Sequence, residues 1–369
     1  MDALTTAHAA VALEFGELEQ NGTRLVVVSP AAGEAAAPPL EAALGGELAA
    51  FVAREKTRHG GVLLRGFAPV GPAGFERCAA RFGEPIREYE FGSTPRSRVD
   101  NGVFSSTEYP ANQWIDQHNE QSYTLKWPGS IGFYCEIAAE AGGATPVADS
   151  RLVYARLDPA LRRRFAEHGV MYVRNYGNGL DLSWEQVFGT EQRAEVERYC
   201  AANRIAWEWL DDGQALRTRQ VCQSELRHPQ TGETVWFNQA HLFHVTNLPE
   251  GVREAMLEVV EPERLPRNTY FGDGTPIDAA MLDEIRAVYR DTMLSFPWRA
   301  ADLLLLDNLL MSHGRAPFAG QRRVLGGDDA LTCVPPAGAA PRPGAAHAGA
   351  AAGPCAGRPL AVPKPNLEE

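Results

Sequence analysis

The sequence predicts a mainly β chain carrying helical insertions, on three observations. From Pro85 to about Asp149, short β-type segments are separated by turn residues. Beyond that region, apolar runs around Val235-Trp236-Phe237 and Leu303-Leu304-Leu305-Leu306 stand between stretches of helical periodicity. No βαβαβ rhythm is present, and neither G-x-G-x-x-G nor G-x-x-x-x-G-K-[ST] occurs. A doubly wound sheet and a nucleotide-binding loop therefore have no support.

The elements follow in order. Residues 24–29 (RLVVVS) form a short apolar run, and Ala31–Pro39 is a loop rich in Ala and Pro. Leu40, Leu44, Leu48 and Phe51 or Val52 recur at helical spacing, which predicts a helix from Pro39 to His59, ended by Gly60-Gly61. Val62-Leu63-Leu64 reads as a buried strand bounded by Gly66, and Phe75 to Phe82 as an amphipathic helix closed at Gly83 and Pro85. Ile131-Gly132-Phe133-Tyr134-Cys135 is the clearest strand of the next region. Leu157, Leu161 and Phe165 are spaced by four and place Leu152 to His168 in a helix, with Pro159 acceptable in a first turn. Glu191 to Asn203, Pro249 to Val259 and Ala279 to Met293 are further helices. Of the last 35 residues, 11 are Ala, 8 Pro and 5 Gly. Such a segment buries too little apolar surface to offset its ordering entropy, so 335–369 is expected to be a disordered tail behind a single domain over 1–334. No internal repeat is visible.

The chain has 369 residues, with 35 Lys+Arg against 47 Asp+Glu, a formal net charge of −12. An acidic chain has no overall footprint for a phosphate backbone, so nucleic acid is not expected as a partner. No run approaches 18 apolar residues, and Met1-Asp2-Ala3-Leu4 lacks the basic and apolar regions of a signal peptide, so no membrane span or export is expected. Six cysteines, at 78, 135, 200, 222, 333 and 355, are scattered without a C-x-x-C pair. They read as reduced thiols of a cytoplasmic protein.

The chemistry gathers at His118-Asn119-Glu120. Side chains two apart on a strand share one face, so this imidazole and this carboxylate can reach a single metal ion. Alone the motif is weak, because the composition predicts about one His-x-Asp/Glu by chance, and a surface polar pair would explain it. A third ligand should come from a distant strand that folds back beside the first. His313, after the apolar strand Asp302–Asp307, qualifies; a satisfied histidine at a strand end is its bland alternative. Arg322-Arg323 stand nine and ten residues later, where a guanidinium could grip a carboxylate through a bidentate pair or simply be solvated. Two imidazoles and one carboxylate leave an octahedral face open, the arrangement associated with non-haem Fe(II) oxygenases.

Four blocks resemble the TauD/TfdA family of Fe(II)/2-oxoglutarate-dependent oxygenases, and its SyrP-like branch in particular. They are Gly61–Phe67 (GVLLRGF); His118–Tyr123 (HNEQSY) with Gly142–Arg151 (GGATPVADSR); Trp236–His244 (WFNQAHLFH); and Asp307–Val324 (DNLLMSHGRAPFAGQRRV). The resemblance spans roughly residues 55–334. It implies a double-stranded β-helix (jelly-roll, cupin-like) core with helical insertions about 155–215 and 249–295. It implies His118, Glu120 and His313 as iron ligands, Thr145 as a contact of the cosubstrate 2-oxoglutarate, and Arg322 as the cation on its distal carboxylate. Arg323 is the neighbouring alternative, since a one-residue slip in register swaps faces. Asn119 should point away from the metal or border the substrate pocket. Glu108, Arg98 and Arg174 are candidate substrate contacts. His241 and His244 read as structural or pocket-wall residues, and Trp207-Glu208-Trp209 as packing.

The departures from the family pattern also carry expectations. Glu120 replaces the commoner Asp, and the presence of a carboxylate disfavours a halogenase. Ala301 stands where Gly is expected before Asp302. Gly326 stands where some relatives place a second, substrate-binding arginine. The function implied is oxygenation with Fe(II), 2-oxoglutarate and O2, pointing to hydroxylation of an unactivated C–H in antibiotic-type biosynthesis. The substrate would be a small molecule, an amino acid or amino-acid derivative, free or presented on a peptidyl carrier protein. A neutral thioester would need no second arginine, and Arg162-Arg163-Arg164 offers a basic run to an acidic carrier, although a solvated helix face explains that run as well. Desaturation, cyclisation or C–C cleavage would use the same iron site. A zinc hydrolase and a non-catalytic β-barrel binding protein are the rivals from other classes.

Overall fold

The apolar run at Leu303–Asp307 becomes a fully buried strand, and the rest of the fold is arranged about it. The computed structural model describes residues 11–32, 37–45, 47–83, 98–100, 103–105, 109–177, 179–328 and 331–332. Within them an eight-stranded sheet runs in the order Leu13–Gln20, Thr23–Pro30, Gly61–Leu64, Leu303–Asp307, Ser130–Ile137, Arg323–Asp328, Val103–Ser105, Arg98–Asp100. Every neighbouring pair is antiparallel except Thr23–Pro30 with Gly61–Leu64, which is parallel.

A strand buried on both sides must serve two cores, and the period-two alternation divides its leucines between them. Leu303 and Leu305 pack with Val62, Leu64 and Phe75 beneath the helices Leu40–Ala43, Glu47–His59 and Gly71–Ala79. Leu304 and Leu306 face the other way, meeting Leu63, Ile131, Val147 and Met311. Val147 and Met311 belong to a second sheet of three strands, Val147–Asp149, Met311–Arg315 and Ile115–His118. Two largely antiparallel layers closing on one apolar interior form the jelly roll that the resemblance implied.

The first insertion differs from the helical segment expected. Residues Val170–Tyr176, Ala206–Leu210, Ala215–Cys222 and Arg267–Phe271 build a four-stranded antiparallel sheet, packed with the surrounding helices around Phe165, Trp236 and Phe271. Leu152 to His168 is two helices, Ser150–Arg156 and Pro159–His168, because Asp158 accepts from the amides of Ala160 and Leu161 and starts a new helix at Pro159. Pro39 to His59 is likewise divided, into Leu40–Ala43 and Glu47–His59, with Gly45 in the break. The helix expected from Phe75 begins earlier, at Gly71, with Pro72 in its first turn. A short helix at Trp184–Phe188, opened by a Ser183/Gln186 capping box, was not expected at all. Helices Glu250–Val259 and Ala279–Thr292 match their sequence periodicity.

Ala301 adopts φ +70°, a left-handed conformation that favours glycine, which accounts for the glycine expected there. The next residue, Asp302, is fully buried and takes both Arg65 Nε (3.0 Å) and Nη2 (2.7 Å), tying the block 61–67 to the central strand. Cys78, Cys135, Cys200 and Cys222 are buried free thiols. Cys333, Cys355 and the expected tail at 335–369 lie outside the described residues. Among the described residues no helix is long and apolar enough to cross a membrane.

Leu304 fills the interior between the two sheets, so Leu304→Ala should lower the unfolding free energy by about 2–5 kcal/mol. In urea titrations this reads as a lower midpoint at unchanged slope. A loss below about 1 kcal/mol would contradict the two-layer packing.

Candidate active site

The site begins with the register of the three-stranded sheet, in which His118 pairs directly with His313 and His313 with Val147. The two imidazole rings therefore face one another, with centroids 4.3 Å apart. Gly314 permits this approach, because a Cβ there would lie 2.6 Å from the Ile115 carbonyl oxygen. The chain leaves the strand after His118 and turns through Glu120, whose Oε2 comes within 3.9 Å of His313 Nε2. One donor atom from each of His118, Glu120 and His313 lies within 4.8 Å of the others, the sole such group of three among the described residues. Glu120 and His313 are buried, and His118 partly so.

The His118 ring and the turn that carries Glu120 are held from behind. His118 Nδ1 donates to the Asp116 carbonyl at 2.8 Å, which leaves the lone pair on Nε2. The Glu120 turn is clamped by Asn308: its Oδ1 accepts from the Glu120 amide at 2.7 Å, and its Nδ2 donates to the Glu120 and Pro128 carbonyls at 3.0 and 2.8 Å. Gln117 accepts from Ser312 Oγ at 2.9 Å on the face opposite the histidines. Asn119 is turned inward, donating to Ser150 Oγ and to the Asn308 carbonyl. It thus points away from the three donors, and it does not line the cavity beside them.

Thr145 is buried in the stretch that follows Gly142-Gly143, and its Oγ1 accepts from Trp298 Nε1 at 3.0 Å, keeping the hydroxyl proton for another partner. Arg322 donates through Nε to the Gly143 carbonyl at 2.9 Å. Gly143, at φ +70°, leaves room for that guanidinium: a Cβ would stand 3.1 Å from Arg322 Nε. Arg323 points elsewhere, nearly half exposed and paired with Glu136 at 2.9 Å. Of the two arginines, Arg322 is the one turned toward the Gly143 turn.

Arg315 was missed by the sequence reading, although its position two residues after His313 on the same strand was a signal. It is buried and donates to the carbonyls of Tyr109, Pro110 and Gln113. Arg315 and Arg322 both lie against the Phe318 ring, at 5.3 and 5.5 Å. Burial, reinforced by Arg315, pulls the Arg322 guanidinium down to about 10; burial also lowers that of Arg315.

A cavity of about 380 Å³ opens beside His118 and Glu120, with Tyr123, His244, Asp181 and Arg267 among its walls. His241 is buried and its Nε2 donates to the Gln117 carbonyl at 2.9 Å, outside this cavity, whereas His244 lines it. Arg174 is buried against the Tyr176 ring and does not line the cavity; Arg267, its partner across the strands, does. Arg98 is placed only as backbone in its strand, and Glu108 lies outside the described residues.

Residues 30–327 match the model of the taurine catabolism dioxygenase TauD, TfdA family. The chain belongs to this family. It is 42% identical over 265 residues to dapdiamide synthesis protein DdaC of Enterobacter agglomerans, covering 72% of this chain and 80% of that protein. It is 30% identical over 276 residues to a clavaminate synthase-like protein of Arabidopsis thaliana, again covering 72% and 80%. The crystal structure of AAD-2 in complex with Mn(II) and N-oxalylglycine shares the fold, with TM-score 0.52 at 12% identity over 88% of this chain and 99% of that one. Membership makes this TauD/TfdA chain an Fe(II)/2-oxoglutarate-dependent dioxygenase that uses O2, and the zinc-hydrolase and non-catalytic readings fall.

Two outcomes check this geometry. Asn308→Ala strips the partner from three buried backbone groups, at about 1–3 kcal/mol each, so unfolding free energy should drop by at least about 3 kcal/mol. Burial, aided by Arg286, pushes His244 from 6.5 down to about 4. The unfolded chain then takes up this proton first, so the contribution is complete above pH 6.5 and is lost as pH falls toward 4. His244→Asn should flatten that part of the melting-temperature profile, and an unchanged profile would contradict the burial.

Proposed function

We propose that His118, Glu120 and His313 hold the iron of this dioxygenase, that Thr145 and Arg322 hold 2-oxoglutarate, and that the enzyme hydroxylates an unactivated C–H of an amino acid or amino-acid derivative in specialised-metabolite biosynthesis. The observation that carries the reading is the meeting of the three donor atoms within 4.8 Å beside the cavity. Two imidazoles and one carboxylate on one side leave the remaining coordination positions open to a cosubstrate. When bound, iron with 2-oxoglutarate and dioxygen supplies the oxidant, with succinate and CO2 as the by-products.

The chain supplies position and charge. Arg322, fixed through Nε to the Gly143 carbonyl and lying over Phe318, presents its cation at the turn that leads into Thr145, so a carboxylate there gains charge-assisted hydrogen bonds. The neighbouring Arg315 makes the region more strongly cationic, and a dianionic cosubstrate relieves the repulsion between the two guanidiniums. Thr145 Oγ, its acceptor role taken by Trp298, donates to the cosubstrate. His118 and Glu120 form one wall of the cavity, so a substrate C–H placed there lies beside the reacting centre. The biosynthetic setting is supported by the likeness to DdaC, a dapdiamide synthesis protein. Whether the amino-acid group arrives free or on a carrier is read by succinate release across free amino acids and carrier-bound aminoacyl thioesters.

His313→Ala should abolish 2-oxoglutarate-dependent succinate release. Arg322→Ala should keep iron binding while raising the 2-oxoglutarate requirement at least about 30-fold, since removing one partner of a buried charge pair costs about 2–5 kcal/mol. An unchanged requirement in Arg322→Ala with a steep rise in Arg323→Ala would move the role by one residue. Wild-type turnover in His313→Ala would remove the triad.

A further inference from the structure

A four-residue helix, Ala240–Phe243, turns against the cavity beside His118 and Glu120, and the residues at its two ends, Gln239 and His244, both line that cavity. Backbone partners fix which polar atom each of them offers. Gln239 Nε2 lies 2.8 Å from the Asn119 carbonyl oxygen, which can only accept, so the side-chain amide is oriented and its Oε1 is the atom left over. Among the described residues nothing donates to that oxygen, and it is not sealed in the core. At the other end the Thr246 amide donates to His244 Nδ1 at 3.2 Å, and Thr246 Oγ1, which accepts from Arg286, stands 2.9 Å from the same nitrogen. An amide N–H can only donate, so Nδ1 holds the lone pair and Nε2 carries the ring proton. Burial keeps this imidazole neutral. The wall therefore offers one acceptor and one donor, neither of them charged.

The charged pair in the insertion's part of the wall is neutral as a unit, Arg267 Nη2 donating to Asp181 Oδ1 at 2.7 Å. A carboxylate brought to Gln239 Oε1 would set two acceptors against one another, and an ammonium brought to His244 would set two donors together. An ammonium on Gln239 with a carboxylate on His244 would have each charge met by a neutral dipole only, which compensates it poorly away from water. A hydroxyl gathers its donor and its acceptor on one oxygen, whereas Gln239 and His244 stand five residues apart, roughly 7 Å along a helix. An amide spreads the two functions over two atoms on opposite edges and carries no charge. From this geometry we infer that Gln239 and His244 are specificity-determining residues that read an amide of the substrate, Gln239 Oε1 taking its N–H and His244 Nε2–H its carbonyl oxygen. The inference rests on the proposal that this cavity is the substrate pocket. It narrows the amino-acid class to members that carry an amide, as a carboxamide or as an acylated amine. Gln239 also grips the carbonyl of Asn119, between His118 and Glu120, so the amide sits next to the turn that carries two of the proposed iron ligands.

The test uses the full chain loaded anaerobically with iron and 2-oxoglutarate. Calorimetric titration is run with the twenty standard L-amino acids, their N-acetyl derivatives and their α-carboxamides. At least one amide-bearing compound should bind more tightly than every amide-free one. Its ester counterpart, with oxygen in place of the amide nitrogen, should bind at least about fivefold more weakly. Gln239→Met should bring amide and ester within about twofold of one another. His244→Phe should weaken the amide at least about fivefold, and His244→Gln, which keeps an N–H donor at that reach, should recover part of the loss. Binding of 2-oxoglutarate, titrated separately, checks that each variant keeps its site; should Gln239→Met lose it, the two His244 variants decide. Failure of the wild-type enzyme to bind 2-oxoglutarate would strike the proposed function itself. Binding of no amide, equal binding of amide and ester by the wild type, or undiminished amide affinity in a folded His244→Phe would overturn the inference alone.

Discussion

The pairing of His118 with His313 across two antiparallel strands is the constraint on which the site depends. Side chains alternate along a strand, so the register that brings these imidazoles together sends Gln117 and Ser312 to the opposite face. There Ser312 Oγ donates to Gln117, and Gln117 Nε2 donates to the Pro146 carbonyl, one residue beyond Thr145. A slip by one residue would break these buried hydrogen bonds and turn both histidines into the core, which is why the register is well specified. Gly314 allows the strands to meet, and Asn308 then fixes the turn that brings Glu120 back toward His313.

The parts of the site that were legible in the sequence are those whose geometry is local. His118 and Glu120 are two residues apart; Gly142-Gly143 precede Thr145; Arg322 follows a short turn after the strand of His313. The Leu303–Asp307 strand was equally plain, because a continuous apolar run without helical length reads as a doubly buried strand. The insertion was not legible. Val170–Tyr176 is buried almost throughout, so no alternation marks it as a strand, and the four-residue spacing of Leu157, Leu161 and Phe165 runs straight through the break at Asp158. For the same reason the choice of Arg174 over Arg267 had no basis in sequence. They are neighbours across two strands, and only their surroundings decide that one stacks on Tyr176 while the other reaches the cavity. Asp181 lies in a loop with no motif around it.

Charge is distributed against the overall composition. The chain carries a formal charge of −12, yet the interior beside Thr145 holds two buried or part-buried arginines sharing one phenylalanine face. Both guanidiniums are depressed by burial, which marks a region organised at an electrostatic cost. The insertion wall of the cavity is the opposite case, where Arg267 and Asp181 already neutralise one another. The two regions therefore differ in charge, one strongly cationic and the other neutral as a pair.

Arg315 joins these ends mechanically. Its guanidinium holds the carbonyls of Tyr109, Pro110 and Gln113, a segment that continues directly into Trp114 and the strand of His118, and Tyr109 and Trp114 both line the cavity. The same guanidinium sits against the Phe318 ring that also carries Arg322. Arg315 thereby helps set where the outer wall of the cavity stands. The Arg322 region and the outer wall of the cavity are thus connected through one buried side chain, placed two residues beyond His313 on the same strand.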